Sequence, residues 1–190
     1  MDLMNKINID YKNLIRSIPD YPEAGINFKD LSPIYSSKWG IVELTEDLYN
    51  RVDLVSEDPR NIDKIVIASS RGYILGSSLA SHLCVGMVAA HKSARPGFQY
   101  NVRYYREYGE NENLFIDNGL INNGDRVILH DDILATGGTL VAMKELVHMA
   151  GGIVEGIVVT CELNYLNGRD LLIRSGIEDD QIKSVIQLDY

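Results

Sequence analysis

The sequence lacks the features that mark secreted and membrane-spanning proteins. Only two cysteines occur among its 190 residues, Cys84 and Cys161, and they form no Cys-x-x-Cys pattern. Both lie in apolar stretches, which predicts reduced, buried cysteines in a cytoplasmic protein rather than a disulfide framework. No apolar run approaches the roughly 20 residues of a membrane span, and residues 1–6 do not resemble a signal peptide. We therefore expect no membrane partner.

Two further properties narrow the class of function. The sequence gives no indication of a zinc site, because no metal-ligand spacing relates its histidines, which are His82, His91, His130 and His148. The formal net charge of −9 argues against general binding of nucleic acids. The chain has the length of one domain, residues 1–190, and neither a linker nor an internal repeat divides it.

One short segment is basic although the whole chain is acidic. Residues 91–106 contain no acidic residue, but they contain Lys92, Arg95, Arg103 and Arg106. Such a local concentration of positive charge allows an acidic protein to bind an anionic ligand, because the nearby charges dominate the field at a site. We therefore expect the ligand of this protein to be an anion.

The most informative segment is residues 126–139, which read RVILHDDILATGGT. Residues 127–129 form the continuous apolar run that is typical of a central parallel strand. Two acids, Asp131 and Asp132, follow, and a small-residue turn then leads into a predicted helix that ends before Gly151. A glycine-containing turn between a strand and a helix directs backbone N–H groups and the helix dipole at one spot, which suits a phosphate.

The spacing of this turn excludes two common phosphate loops. A Walker A loop requires a lysine after its last glycine, and none follows Gly138. A dinucleotide fingerprint requires a Gly-x-Gly-x-x-Gly spacing that the turn does not have. Because Asp131 and Asp132 can accept hydrogen bonds from sugar hydroxyls, a phosphorylated sugar is the natural ligand. The alternative is that either acid caps the turn or is simply solvated.

Periodicity along the chain predicts strands that alternate with helices. The predicted helices cover residues 3–17, 38–56, 73–83 and 139–150, and the predicted strands cover residues 64–68, 86–91, 113–117, 127–129, 154–160 and 185–188. This alternation indicates an α/β fold with a mainly parallel central sheet flanked by helices. Ligands bind beyond the carboxyl ends of such strands. Three turns, residues 69–72, 92–96 and 131–139, are therefore expected to meet at one edge.

The tyrosines are concentrated beside the basic segment. Four of the eleven lie between residues 100 and 108, namely Tyr100, Tyr104, Tyr105 and Tyr108. We interpret this region as part of a lid that covers an aromatic base and keeps water out of the site. The alternative is a solvent-facing hairpin with tyrosine pairs across its strands.

Taken together, these motifs are similar to those of a known family. Residues 126–139 resemble the signature of type I phosphoribosyltransferases, which bind 5-phosphoribosyl-1-pyrophosphate (PRPP). Residues 15–22 and 25–33 resemble the amino-terminal segment of adenine phosphoribosyltransferases, and residues 70–76 resemble their pyrophosphate loop. Residues 107–109 match the end of the family's lid and residues 166–169 its carboxyl-terminal segment.

The resemblance implies an activity and a set of site residues. It implies a type I phosphoribosyltransferase-like fold with a hood segment at residues 1–35 and a flexible lid at residues 92–110. A Mg²⁺-dependent homodimer would transfer phosphoribosyl from PRPP to adenine, giving AMP and pyrophosphate. The implied ribose and phosphate residues are Asp131, Asp132, Ala135, Thr136, Gly137, Gly138 and Thr139.

The remaining implied roles concern the base and the pyrophosphate. Phe28 would stack on the base, and backbone groups around Asn27 and Lys29 would read its edge. Ser70, Arg71 and Lys92 would bind pyrophosphate, with a cis peptide before Arg71. Mg²⁺ would be held through pyrophosphate and ribose, with Asp131 or Asp132 as a further ligand. Glu107 would lie near the base or the lid hinge, and Tyr108 would close over the site.

Two other functions remain open at this point. The first is the same reaction on a 6-oxopurine, such as hypoxanthine, guanine or xanthine, because Lys29 stands where the family usually has arginine. The second is a PRPP-binding regulator without catalytic activity. On spacing alone Arg71 is an ordinary surface arginine, and Leu134 is best explained by core packing.

Overall fold

The computed structural model describes residues 9–56, 58–97, 99–104 and 112–190. In chain order the strands are β1 (Arg16–Pro19), β2 (Asn27–Asp30), β3 (Lys64–Ala68), β4 (Gly86–Ala90), β5 (Gln99–Tyr104), β6 (Glu112–Asp117), β7 (Arg126–Leu134), β8 (Ile153–Leu163) and β9 (Ile182–Leu188). The helices are α1 (Tyr11–Leu14), α2 (Ser32–Ser36), α3 (Gly40–Val52), α4 (Gly72–Leu83), α5 (Gly138–Met149) and α6 (Gly168–Arg174). Single 3₁₀ turns lie at Pro59–Asn61, Asn164–Leu166 and Asp179–Gln181.

Five parallel strands form the central sheet, in the order β4–β3–β7–β8–β9. The apolar runs of β3 and β7 are fully buried, because helices cover both faces of the sheet. One face packs against α3 and α4, and the other packs against α5 and the β5–β6 hairpin. The predicted mainly parallel α/β fold is therefore confirmed.

The carboxyl ends of the parallel strands β3, β4 and β7 lie at one edge of the sheet. β3 leads into α4 through Ser69–Arg71, and β7 leads into α5 through residues 135–137. The predicted helices over residues 73–83 and 139–150, and the predicted strands over residues 64–68 and 86–91, agree with α4, α5, β3 and β4 to within one or two residues.

The predicted amino-terminal helix is wrong in part. The described helix α1 covers only Tyr11–Leu14, and Ile15 is extended (φ −72°, ψ 122°). Residues 16–19 form β1, which pairs with β2 in an antiparallel hairpin, and Arg16 bonds Asp30 at 2.5 Å across it. The apolar spacing of residues 3–17 fits a helix, but this cross-strand pairing and Pro19 favour extended backbone. Residues 1–8 lie outside the described part of the chain.

Strand β7 is longer than its apolar run predicts. It continues through Asp131 and Asp132 to Leu134, because β8 provides hydrogen-bonding partners as far as Glu162. The two acids therefore lie within the strand rather than after it. β8 itself runs from Ile153 to Leu163, beyond the predicted residues 154–160.

The described part of the lid region is a hairpin, as the alternative interpretation has it, but it packs on the core, and its register pairs Tyr100 with Ile116 and Tyr104 with Glu112 rather than with other tyrosines. Residues 99–104 form β5, which pairs in antiparallel register with β6, and Tyr104 is buried against the core. An isolated bridge between His91 and Phe115 joins this hairpin to the end of β4. Glu107 and Tyr108 lie outside the described residues, so the lid stays a prediction.

The two cysteines differ in environment. Cys161 is buried as predicted, and burial raises the pKa of its thiol to about 12, so it is protonated at neutral pH. The prediction that Cys84 is buried is wrong, because Cys84 ends α4 in the left-handed conformation (φ 59°) at the surface. None of the helices in the described part of the chain is long and apolar enough to cross a membrane.

The close approach of α4 to β3 gives the first prediction. A methyl group added at Gly76 would lie 2.5 Å from Cδ1 of Ile67 and 2.9 Å from its Cγ1 and Cγ2. We expect Gly76→Ala to lower the free energy of unfolding by about 1–2 kcal/mol, because this overpacking exceeds the gain in helix propensity. Urea denaturation measures the change.

Exposed Ser77 on the same helix provides the control. We expect Ser77→Ala to change stability by less than about 0.5 kcal/mol. The double variant Gly76→Ala with Ile67→Ala should lose less stability than the two single variants together, because the clash is removed. Strictly additive losses would contradict the packing argument.

Candidate active site

A cleft of about 700 Å³ lies at the carboxyl edge of the sheet. The three turns that were expected to meet at this edge do so: Ser69–Arg71, Lys92 and residues 131–139 all line the cleft. The hood segment contributes Tyr21, Pro22, Ile26, Asn27 and Phe28. Segments far apart in the sequence thus surround one space that is large enough for a drug-sized ligand.

The acid pair is arranged by backbone contacts and by one cation. Asp132 is buried, and its Oδ2 lies 3.0 Å from Nε of Arg71. The partly buried Asp131 accepts a hydrogen bond at Oδ1 from the backbone N–H of Asp132, at 2.9 Å. The two carboxylates therefore differ in setting, since among the described residues Asp132 alone of the two has an ion pair with a cation.

Burial raises the pKa values of both carboxyl groups of this pair. Burial, followed by the charge of Asp132, raises the pKa of Asp131 well above its usual value. Burial also raises the pKa of Asp132, although the Arg71 guanidinium opposes that rise. Hydroxyl groups or a cation brought to Asp131 would favour its ionised form, which is what a ribose site requires.

The turn before α5 presents backbone donors to the cleft. Gly137 has a φ of +85°, and α5 begins at the next residue without a side-chain cap at its first turn. This left-handed backbone conformation is one that glycine adopts without strain. The first residues of α5, at the positive end of the helix where backbone N–H groups lack helical partners, line the cleft together with the acid pair. This arrangement is suited to a phosphate group.

Arg71 connects the acid pair to an aromatic ring. It precedes the first residue of α4, and its guanidinium carbon lies 4.8 Å from the centroid of the Phe28 ring. The Tyr21 ring meets Phe28 edge to face, with 5.2 Å between centroids. Phe28 thus lines the cleft with a cation over its ring, and a flat aromatic ligand can stack on that ring in place of the cation.

Lys92 is the member of the basic segment that reaches the cleft. Its Nζ lies 3.0 Å from Oε2 of Glu112, which also accepts a hydrogen bond from the Tyr104 hydroxyl at 2.9 Å. Arg95 and Arg103 are exposed and do not line the cleft. The prediction of a convergent basic segment therefore holds for Lys92 alone among the three cations that the structure describes.

The structure adds detail at Lys29 and at the cis peptide. The Lys29 side chain does not line the cleft: it is buried, and its Nζ donates to Oγ of Ser17 at 2.9 Å across the β1–β2 hairpin, so base reading by backbone groups near Lys29 stays a prediction. Lys29 is the register partner of Ser17, so the two side chains meet on one face of the hairpin, whereas Asn27 and Phe28 both line the cleft. The non-proline cis peptide lies between Ser69 and Ser70, one bond earlier than predicted.

His130, next to the acid pair, is a core residue. It is fully buried, and its Nδ1 donates to the carbonyl of Val158 at 2.8 Å. Burial lowers the pKa of His130 to about 4, so the ring is neutral at physiological pH. It follows that the charge of this strand end resides on Asp131 and Asp132.

Comparison with known proteins agrees with this geometry. The model of the phosphoribosyl transferase domain matches residues 41–174. The chain is 38% identical to the adenine phosphoribosyltransferase of Thermosipho africanus over 184 residues, which are 95% of this chain and 100% of that protein. The chain belongs to the adenine phosphoribosyltransferase family.

Solved structures of the family share the fold. The Giardia lamblia enzyme in complex with 9-deazaadenine has a TM-score of 0.85 and 34% identity, covering 95% of this chain and 97% of that one. The Saccharomyces cerevisiae adenine phosphoribosyltransferase was solved with adenine and an imino-altritol bisphosphate; it has a TM-score of 0.82 and 29% identity, covering 93% of this chain and 96% of that one.

Several lining residues of this adenine phosphoribosyltransferase family member were not predicted as site residues. They are mostly apolar: Tyr21, Pro22, Ile26, Ser69, Tyr104, Ile133, Leu134, Leu140 and Leu163. Leu134 and Leu163 lie at the ends of β7 and β8, where a core side chain also reaches the cleft. Their position at strand ends could have indicated that they line the site, but apolar side chains in a predicted strand are first interpreted as core residues.

The raised pKa of Asp131 gives the second prediction. Asp131→Asn should raise the free energy of unfolding at pH 7 by on the order of 1 kcal/mol, because it removes a buried charge from beside Asp132. In the wild type, the folded pKa of Asp131 lies above the ordinary value of 3.8, so the folded state binds the extra proton and stability falls as pH rises above that value. The variant lacks this contribution.

Urea denaturation at pH 5 and pH 8 measures the difference. We expect the gain from Asp131→Asn to be larger at pH 8 than at pH 5. A variant that is less stable than the wild type at pH 8 would show that the Asp131 carboxylate stabilises the fold.

Proposed function

We propose that this chain transfers the phosphoribosyl group of PRPP to adenine in this cleft, giving AMP and pyrophosphate. One observation carries the proposal: the Arg71 guanidinium contacts both the acid Asp132 and the ring of Phe28. A site for sugar hydroxyls and a site for a flat base therefore lie on either side of one cation. The family's 9-deazaadenine and adenine complexes support adenine as the base.

The substrate would be held by three sets of groups. Asp131 and Asp132 accept hydrogen bonds from the ribose hydroxyls. The backbone and hydroxyl groups of residues 135–139 bind the 5′-phosphate, in the manner of anion sites at helix amino termini. Phe28 stacks on adenine, with Asn27 at the same side of the cleft. Such positioning converts the reaction of two molecules into a reaction within one complex.

Departure of pyrophosphate is the step that needs charge stabilisation. Arg71 and Lys92 line the cleft, and Ser70 lies beside Arg71 in the same loop. Cations that contact the developing negative charge stabilise the transition state and so lower the barrier. In this proposal Arg71 leaves Asp132 to contact the leaving group, and Lys92 leaves Glu112.

The donor set also fits Mg²⁺. The carboxylates of Asp131 and Asp132 are hard oxygen donors, which Mg²⁺ prefers. No group of three or more acidic, histidine or cysteine side chains is placed to hold a metal in the described part of the chain. Mg²⁺ would therefore be held largely by substrate oxygens and water, with Asp131 or Asp132 as a protein ligand. Once bound, the ion would neutralise charge on the diphosphate.

Other parts of the implied function stay predictions. Glu107 and Tyr108, with the lid at residues 92–110, would complete the site over the base and keep it dry. The homodimer and the cytoplasmic location also stay predictions. Each would follow from the family resemblance or from the cysteine content rather than from the contacts of this chain.

The third prediction concerns the choice of base. With PRPP and Mg²⁺, the purified protein should form AMP from adenine with kcat/KM at least about 100-fold higher than for hypoxanthine, guanine or xanthine, because donor and acceptor placement discriminates bases strongly. Chromatography of nucleotides formed from each base separately measures this ratio. Formation of a 6-oxopurine nucleotide without AMP would overturn the choice of adenine.

The fourth prediction concerns the ribose site. The double variant Asp131→Asn with Asp132→Asn should lose PRPP binding by about 100-fold or more and retain its fold, since the acceptors for two hydroxyls and the cation are weakened. Calorimetric titration with PRPP measures the affinity, and circular dichroism monitors the fold. Retained affinity would show that the acid pair is not the ribose site, and wild-type PRPP binding without turnover of any base would indicate a regulator.

A further inference from the structure

Arg169 is the centre of the most complete polar network near the site. Its guanidinium bonds Glu162 through two parallel contacts, Nε to Oε1 at 2.8 Å and Nη2 to Oε2 at 2.7 Å. Its Nη1 donates to Oδ1 of Asp179 at 2.9 Å and to the carbonyl of Ile182 at 3.2 Å. Glu162 is buried and also accepts from Oγ of Ser184 at 2.9 Å. The network fixes the start of α6 to β8 and β9.

Arg169 does not line the cleft, but the residue before it contacts the phosphate turn. A methyl group at Gly168 would lie 2.2 Å from the carbonyl oxygen of Ala135 and 2.8 Å from Cδ1 of Leu134. A methyl group at Gly137 would lie 2.6 Å from the carbonyl oxygen of Gly168. The two backbones therefore touch without an intervening side chain, so a shift of α6 displaces the turn directly.

The register of the sheet strengthens this connection. Glu162 on β8 is the partner of Leu134, the last residue of β7 before the turn. The Arg169–Glu162 pair and the contact of Gly168 with the turn thus hold both sides of the same short segment. A planar guanidinium that forms two bonds to one carboxylate fixes orientation as well as distance.

We infer that Arg169 is a positioning residue for phosphate binding, acting through Gly168 on the backbone donors of the turn at residues 135–139. The inference rests on the proposed function, because it assigns the turn to the 5′-phosphate of PRPP. Electrostatic stabilisation by preorganised N–H groups depends steeply on their placement. The base site contains no atom of this network, so the effect is specific to the phosphorylated substrate.

The test removes both partners of the pair, because Arg169→Met alone leaves a buried, unpaired Glu162 that would destabilise the fold. In the variant Arg169→Met with Glu162→Gln, we expect KM for PRPP to rise about 10-fold or more, in keeping with the cost of small misplacements. KM for adenine should stay within about twofold. Arg169→Lys keeps the charge but lacks the planar guanidinium that forms two parallel bonds, and it should give an intermediate KM for PRPP.

The matched control is the pair Arg126–Glu155, which joins β7 to β8 at the amino-terminal ends of these strands, opposite the cleft. Nη2 of Arg126 lies 2.7 Å from Oε2 of Glu155. We expect Arg126→Met with Glu155→Gln to leave KM for PRPP within about twofold of the wild-type value, since no substrate contact depends on it. Calorimetric titration with PRPP in the absence of base should show the same ranking of variants.

Three results would overturn the inference. The first is an unchanged KM for PRPP in the Arg169 variants. The second is an equal rise in KM for PRPP and for adenine, and the third is an equal effect of the control pair, because either of these indicates a general loss of structure. If the double variant does not fold, the KM of Arg169→Lys decides. Failure of the proposed function is distinguishable, since the wild-type protein itself would then neither bind PRPP nor form AMP.

Discussion

The parallel pairing of β7 with β8 is the interaction on which the site depends. It extends past the apolar residues of β7 and carries Asp131 and Asp132 to the edge of the sheet within a regular strand. At that edge Asp132 contacts Arg71 at the start of α4, whereas Asp131 bonds the backbone of its neighbour.

A site of this kind is maintained at a cost to stability. Two acids are partly or fully buried side by side with one cation in contact, and burial raises the pKa of both. The surrounding core compensates, because the strand that carries them packs fully buried apolar residues against helices on both faces. The two carboxylates that disfavour each other's ionisation therefore lie in the cleft. A ligand with hydroxyl groups and an accompanying cation would stabilise their ionised forms there.

Local patterns predicted the centre of the fold better than its edges. The buried runs of β3 and β7 and the helices that follow them were evident from apolar periodicity, because those segments are covered on both faces. The β1–β2 hairpin was missed, because its formation depends on a partner strand and on the Arg16–Asp30 contact across it. Neither feature leaves a periodic signal in residues 3–17.

The same distinction applies to the site residues. Asp131, Asp132 and the turn at residues 135–137 were predicted, because their chemistry is encoded in consecutive residues. The role of Leu163 in the cleft and the contact of Gly168 with Gly137 were not, because they arise where separate strands and helices end together. Lys29 shows the converse: it adjoins Phe28 in sequence, yet its side chain bonds Ser17 across the hairpin and does not line the cleft.

Binding of a polyanion by a chain with a formal charge of −9 follows from where the charges lie. At physiological ionic strength, exposed charges are screened beyond about 8 Å, so acids elsewhere on the surface contribute little to the potential in the cleft. Within that distance the cleft presents Arg71, Lys92 and the positive end of α5. Glu112 contacts Lys92, and Asp132 contacts Arg71. An anion with several charged oxygens can replace these contacts, since it offers each cation a stronger partner than one carboxylate.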